Sequence, residues 1–245
     1  MAKEIVKKVS QLPSLNLFEK DAGAGLEGMT TQDLAIPFLS ILQTNSPQLD
    51  RNESTYIKGA VAGQIFNSVS GKVYDSVTVV PCAFQHKIVE WKPRGSGGGL
   101  VQQYNREDAP EDVTVNDKGQ MMRANGNVLI ATAYHYVLIV EEGAEPEQAV
   151  LPMSSTQLKK SKKWNSLMAA LKMKAQDGEI FTPPTYSHSY DLTTSGESND
   201  KGKWFGWVIS NGKLIQNAKL AQLARVFSKS ARQISLKPVA DENVM

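Results

Sequence analysis

Residues 128–142 read VLIATAYHYVLIVEE, an uncharged run dense in β-branched and aromatic side chains that ends only at two glutamates. That composition fits a pleated, half-buried surface. The length of the run marks a central or heavily twisted strand. In an extended chain Leu129, Ala131, Ala133, His135, Val137 and Ile139 share one face, and Ile130, Thr132, Tyr134, Tyr136, Leu138 and Val140 share the other. A second long segment, SVTVVPCAFQHKIVEW at residues 76–91, is equally rich in valine and aromatics. Pro81 removes a ladder donor from it, which puts the proline at an edge, a bulge or a break between two strands.

Shorter elements surround these two. Val61, Gly63, Ile65 and Asn67 mark a strand before the turn Ser70, Gly71, Lys72, and residues 107–127 form an acidic and polar excursion, a hairpin or a mobile insert. Tyr186–Leu192 and KWFGWVIS, residues 203–210, read as strands separated by the loop TTSGESNDKG. Thr30 or Thr31 is expected to cap a short helix over residues 32–42, kinked or split by Pro37. Ser154 or Ser155 caps a helix running to Ala175, with Trp164, Leu167, Met168, Leu171 and Ala175 on its apolar face. Lys159, Lys162 and Lys163 project from the opposite side of that helix, with Lys160 near the apolar flank. A last helix over Lys219–Ile234 turns Leu220, Leu223, Ala224, Phe227, Ala231 and Ile234 inward, and Arg225, Lys229 and Arg232 outward.

No repeated strand–helix–strand alternation occurs, so a doubly wound sheet is not expected. The expected class is a β-rich α+β fold: a curled antiparallel sheet or OB-like barrel with two or more peripheral helices. Residues 1–28 read as a flexible N-terminal segment, 29–236 as a single OB-like domain with loop insertions, and 237–245 as a short tail.

With 245 residues, 41% of them apolar, the chain can bury a core without covalent staples. Its one cysteine, Cys82, lies in an apolar run and reads as a small buried thiol, which suits a reducing compartment. The N-terminus lacks the pattern of a secretory signal and no window is apolar enough to span a bilayer. A cytoplasmic protein with no membrane partner is expected.

The formal charge of +2 is small, but it is segregated. Residues 141–147 hold four glutamates, residues 159–174 hold six lysines and no acid, and residues 201–237 hold eight basic residues and no acid. Such a chain can present a basic surface at nearly neutral overall charge.

His86, His135 and His188 are far apart and no metal-binding spacing occurs, so no metal is expected. The stretch GSGGG, residues 95–99, has the composition of a phosphate loop but none of its motifs. It reads as a flexible loop, with a loop covering a ligand as the alternative. No nucleophile elbow or triad can be named. The expectation is therefore a protein that is not an enzyme and carries no cofactor.

What recurs is basic residues beside aromatics. Trp91, Lys92 and Arg94 precede the glycine-rich loop, and Tyr104 and Arg106 follow it. Lys201, Lys203, Trp204 and Trp207 repeat the combination in DKGKWFGW, and Tyr134 and Tyr136 add a pair of rings on one strand face. Cations neutralise phosphates while aromatic faces stack on unpaired bases, the pairing that a single-stranded nucleic acid requires. The candidate contact set is these residues together with Lys159, Lys160, Lys162 and Lys163. Alternating aromatics in strands also serve as core, and a lysine-rich helix face also serves as a plain solvated surface.

The segments MTTQDLAIPFLSILQ, VVPCAFQHKIVEWKPRGSGGG, STQLKKSKKWNSLM and YDLTTSGESNDKGKWFGW together span most of residues 29–207. In them the chain resembles a family of bacteriophage-encoded proteins, some associated with single-stranded DNA binding. The resemblance implies an oligonucleotide-binding barrel, single-stranded DNA as ligand, and phage replication or recombination in the host cytoplasm as the setting. The best-known phage single-stranded DNA-binding proteins of comparable size end in an acidic tail that recruits replication partners, whereas this chain ends KPVADENVM with only Asp241 and Glu242. The departure bears on partner recruitment more than on DNA binding. Phage or host replication proteins and a second copy of the chain remain open as partners. Two other functions remain open as well: a noncatalytic phage factor that binds or inhibits a host protein, and a nucleic-acid-processing enzyme.

Overall fold

The computed structural model describes residues 15–29, 35–93, 98–117, 119–200, 202–231 and 234. The chain divides into two units, residues 1–35 and 36–245. In the first, helix α1 (Leu15–Lys20) leads into consecutive turns closed by bonds from Ala24 N–H to Asp21 O and from Leu26 N–H to Gly23 O.

The second unit is built on two long antiparallel strands, β4 (Val77–Trp91) and β8 (Val128–Val140), paired along nearly their whole length. Each changes its outer partner part-way. Strand β4 pairs β12 (His188–Asn199) through residues 77–79 and β5 (Leu100–Asn105) through residues 87–91. Strand β8 pairs β7 (Met121–Arg123) at its start and β9 (Glu147–Ser154) beyond it. With β6 (Val113–Val115) beyond β7, and β13 (Gly202–Ile209) and β14 (Lys213–Leu214) both pairing β12, nine strands form a curled antiparallel half-barrel, while β10 (Met173–Lys174) and β11 (Ile180–Phe181) pair separately. The expected fold class holds.

Pro81 sits at a bulge, where the register slips between Pro81 and Ala83. It lies in the interval of β4 that neither β12 nor β5 covers, so no ladder on that side needs its missing donor. A bulge adds local twist, which curls the sheet at this point.

Three expectations are corrected. Residues 35–42 are not helical: Phe38 bridges Val150, and Leu39–Ile41 is strand β1, which joins β2 (Ile65–Asn67) and β3 (Val73–Tyr74) in a small sheet. Burial of Phe38, Leu39 and Leu42 outweighs a helical pattern that Pro37 already interrupts. The caps Thr30 and Thr31 lie outside the described residues. The stretch read as a loop after Leu192 is mostly strand, since Thr193–Asn199 pair residue by residue with Gly202–Val208 in a long hairpin. The helix after Ser155 is shorter than expected, α2 (Leu158–Ala170), entered through a 3-10 turn at Ser155–Gln157 and ended by the extended Leu171. No serine side chain caps it.

The alternation read along residues 128–140 separates two cores. Ala133, Val137 and Ile139 join Val79, Tyr190, Leu192 and Trp207 beneath Trp164 and Met168 of α2. Tyr134, Tyr136 and Leu138 join Val80 and Cys82 beneath Leu220, Ala224 and Phe227 of α3 (Ala218–Ser230). Asn217 caps α3, its side chain accepting from Leu220 N–H at 3.1 Å. Leu223, expected to face inward, is 37% exposed. Burial pushes the Cys82 thiol up to about 12, as suits a structural cysteine.

Candidate nucleic-acid interface

Several residues expected to meet a ligand are used by the fold. Tyr134, Tyr136 and Trp207 are buried, and Phe227 of α3 packs edge-on against Tyr136 at 6.5 Å between centroids. A ring inside two packed layers cannot stack on a base, so these three leave the candidate set. Trp91 is half-buried against the α3 core. Tyr104 donates its hydroxyl to Glu90 Oε2. Arg94 and Lys201 lie outside the described residues.

Glu90 explains what Tyr104 does. Its side chain is 1% exposed and holds both ends of a charged cluster: Asn127 donates to Oε1, and Tyr104 and Arg123 donate to Oε2, Arg123 at 3.2 Å. Arg123 also forks onto Asp112 with two bonds of 3.0 Å. Burial alone would raise the Glu90 carboxyl, but donors from Asn127, Tyr104, Arg123 and Asn125 outweigh it and hold the group down at about 2. The cluster ties β4 and β5 to the β6–β7 hairpin and is structural.

The exposed residues of the expected set gather around α2. Ser161, Trp164 and Met168 anchor the helix, Ser161 contacting His135 Nε2 at 2.8 Å and Trp164 stacking on the same imidazole with centroids 4.7 Å apart. That spacing of buried positions leaves Lys159, Lys162 and Lys163 exposed on the outer side. The expectation that they project away from the apolar face is met.

On one flank of α2 lies the β4–β5 surface. Phe84, His86, Ile88 and Glu90 share a face of β4, and the β5 register continues from Asn105 opposite Lys87 to Arg106 beside His86. Phe84 is 39% exposed and tilts against His135 at 5.0 Å. Burial pushes the His86 pKa down, and the nearby Arg106 and Lys162 push it further, so three cationic or potentially cationic groups from β4, β5 and α2 converge beside an exposed ring. His86 Nε2 has no partner among the described residues.

On the other flank lies the β12–β13 hairpin. Lys160 bridges to Glu197 at 2.7 Å, and Glu197 accepts the indole N–H of Trp204 at 3.0 Å. Gly206 makes the arrangement fit: a β-carbon there would stand 2.6 Å from Glu197 Oε1. Trp204 is thus half-exposed with a fixed ring, and Lys203 beside it is exposed. Lys160 is consumed by its ion pair and is a positioning residue here. Lys92 is exposed at the far end of β4.

Among the described residues no group of three His, Cys, Asp or Glu side chains is placed to hold a metal ion, and no helix is long and apolar enough to cross a membrane.

The family of Pam3 phage gp34-like proteins matches residues 6–237. The chain belongs to this family. Comparison with curated proteins gave no match, and comparison with solved structures gave none. The phage family read from the sequence is thereby established at the level of the family.

In this gp34-like protein, sequence reasoning missed Phe84 and His86. Both stand in a strand whose neighbours are buried, and only the position of α2 decides which part of the β4 face is covered. The available signal was the proline bulge: beyond Ala83 the alternation FQHKIVE aligns Phe84, His86, Ile88 and Glu90 as one row.

Proposed function

We propose that this phage protein binds single-stranded DNA with little sequence preference, in phage replication or recombination. The observation that carries the reading is the convergence on α2: exposed Lys159, Lys162 and Lys163 with Arg106, His86 and Phe84 on one flank and Lys203 and Trp204 on the other. Cations spaced along a helix suit a phosphate track, and each exposed ring offers a base a stacking surface worth roughly 1–3 kcal/mol. Duplex DNA fits less well because its bases are already stacked on one another. The family membership supports a phage setting and is silent on the ligand.

The test is fluorescence anisotropy of a labelled 30-nucleotide single strand at two salt concentrations, with the same sequence as duplex competitor. Tight binding that weakens steeply with salt and is poorly competed by duplex is the expected result. No binding at micromolar protein in low salt overturns the reading.

A further inference from the structure

We propose that the cleft along the outer edge of β13 receives one nucleotide of the bound strand, with its base inside and its phosphate at Lys203. The cleft holds about 480 Å³ and lies between Ser40–Gln48, Phe66, the Pro152–Gln157 segment entering α2, and Lys203–Trp207. That volume suits a single heterocycle with its sugar. The proposal rests on the single-strand reading and names the part of the strand that this edge recognises.

The chemistry of the walls selects the ligand. Among the described residues the lining contains no carboxylate and one cation, Lys203; the remaining polar groups are neutral amides and hydroxyls of Gln, Asn, Ser and Thr. Neutral donors and acceptors match the edge of a base, aromatic walls match its faces, and a lone cation at the mouth matches one phosphate. Phe66, Trp204 and Phe205 supply the aromatic surface.

Two glutamines hold these walls in place. Gln43 bonds the main chain of Phe205 in both directions, donating from Nε2 to the carbonyl at 3.0 Å and accepting the N–H on Oε1 at 2.8 Å. Gln157 Oε1 accepts Trp207 N–H at 3.0 Å. The same bonds argue against an added peptide strand as occupant, because the outward donors of β13 at Phe205 and Trp207 are already engaged. The wall also contains Ser155, the one described non-glycine residue with a positive φ, 50°. Backbone held in this sparsely populated region concentrates at ligand-binding positions.

The experiment uses the full chain labelled with ¹⁵N, following the indole N–H of Trp204, assigned through Trp204→Phe, and the side-chain amides of Gln43 and Gln157. Thymidine 5′-monophosphate, thymidine and inorganic phosphate are titrated in turn. The monophosphate is expected to shift all three groups, thymidine to shift them more weakly, and phosphate alone to leave them unmoved. Thr156→Trp, an exposed wall position, is expected to abolish the shifts and to weaken 30-nucleotide binding roughly tenfold, the size of one lost stack. Lys203→Ala, at an exposed side chain, is expected to weaken the monophosphate while sparing thymidine. Absence of shifts at millimolar monophosphate, or shifts that survive Thr156→Trp, overturns the proposal. If the 30-nucleotide strand still binds in that case, the cleft assignment alone has failed. If the monophosphate binds and the strand does not, the cleft stands as a nucleotide site and the single-strand reading falls.

Discussion

Single side chains in this protein divide by what surrounds them. Tyr104 carries the same phenol as any exposed tyrosine, yet Glu90 takes its hydroxyl and Arg123 closes the cluster, so it braces β5. His135 is the clearest electrostatic case. It is fully buried between Phe84 and Trp164, its Nε2 meets Ser161, and burial pushes its pKa from 6.5 down to about 3. A group whose folded pKa is depressed contributes stability that is complete above its ordinary pKa and is lost as the pH falls toward the folded one. His135 therefore destabilises the fold progressively from pH 6.5 toward about 3, and Glu90, held at about 2 against an ordinary 4.5, adds a second loss from 4.5 downward. Urea unfolding across this range should show a plateau above pH 6.5 and a decline below it. In His135→Phe the decline between pH 6.5 and 4.5 should flatten; an unchanged pH profile would show that the imidazole is not held neutral by the core.

At the scale of elements, the sequence disclosed strands better than it disclosed their surroundings. The parity of residues 128–140 separated the two cores correctly, because alternation is a property of the strand itself. The same parity could not say that α3 covers the Tyr134 and Tyr136 face, since the covering helix lies about ninety residues away and contact across that distance has no local pattern. Residues 193–202 looked like a loop because Thr, Ser, Gly and Asn dominate them, yet residues 193–199 pair across to residues 202–208 and are strand. Helix α2 shows the opposite balance, for the spacing of Trp164 and Met168 disclosed its buried side and hence its lysine side. Those lysines carry a prediction of their own. Lys162→Glu combined with Lys163→Glu should lower single-strand affinity and reduce the slope of log affinity against log salt by about 1.4, the loss of two phosphate contacts at about 0.7 each. An unchanged slope would assign these lysines to a solvated face.

For the whole molecule, the exposed Lys159, Lys162 and Lys163 lie on α2 with Arg106 and His86 on one flank and Trp204 on the other, while Tyr134 and Tyr136 are buried beneath α3. The sequence placed Tyr134 and Tyr136 among the candidates, on one face of β8, and only the assembled sheet shows that α3 covers that face. The expected basic surface survives, reduced to α2 and its two flanks, with Phe84 and His86 added and the buried rings removed. A directional claim of this kind is tested most directly by photocrosslinking the protein to a 30-nucleotide strand substituted with 5-iododeoxyuridine, followed by mass spectrometry of the linked peptides. Crosslinks are expected to concentrate in the peptides that contain Phe84, Lys159–Lys163 and Trp204, and to diminish in Lys162→Glu with Lys163→Glu. Crosslinks concentrated on α3, or none above those of an unrelated protein, would contradict the claim.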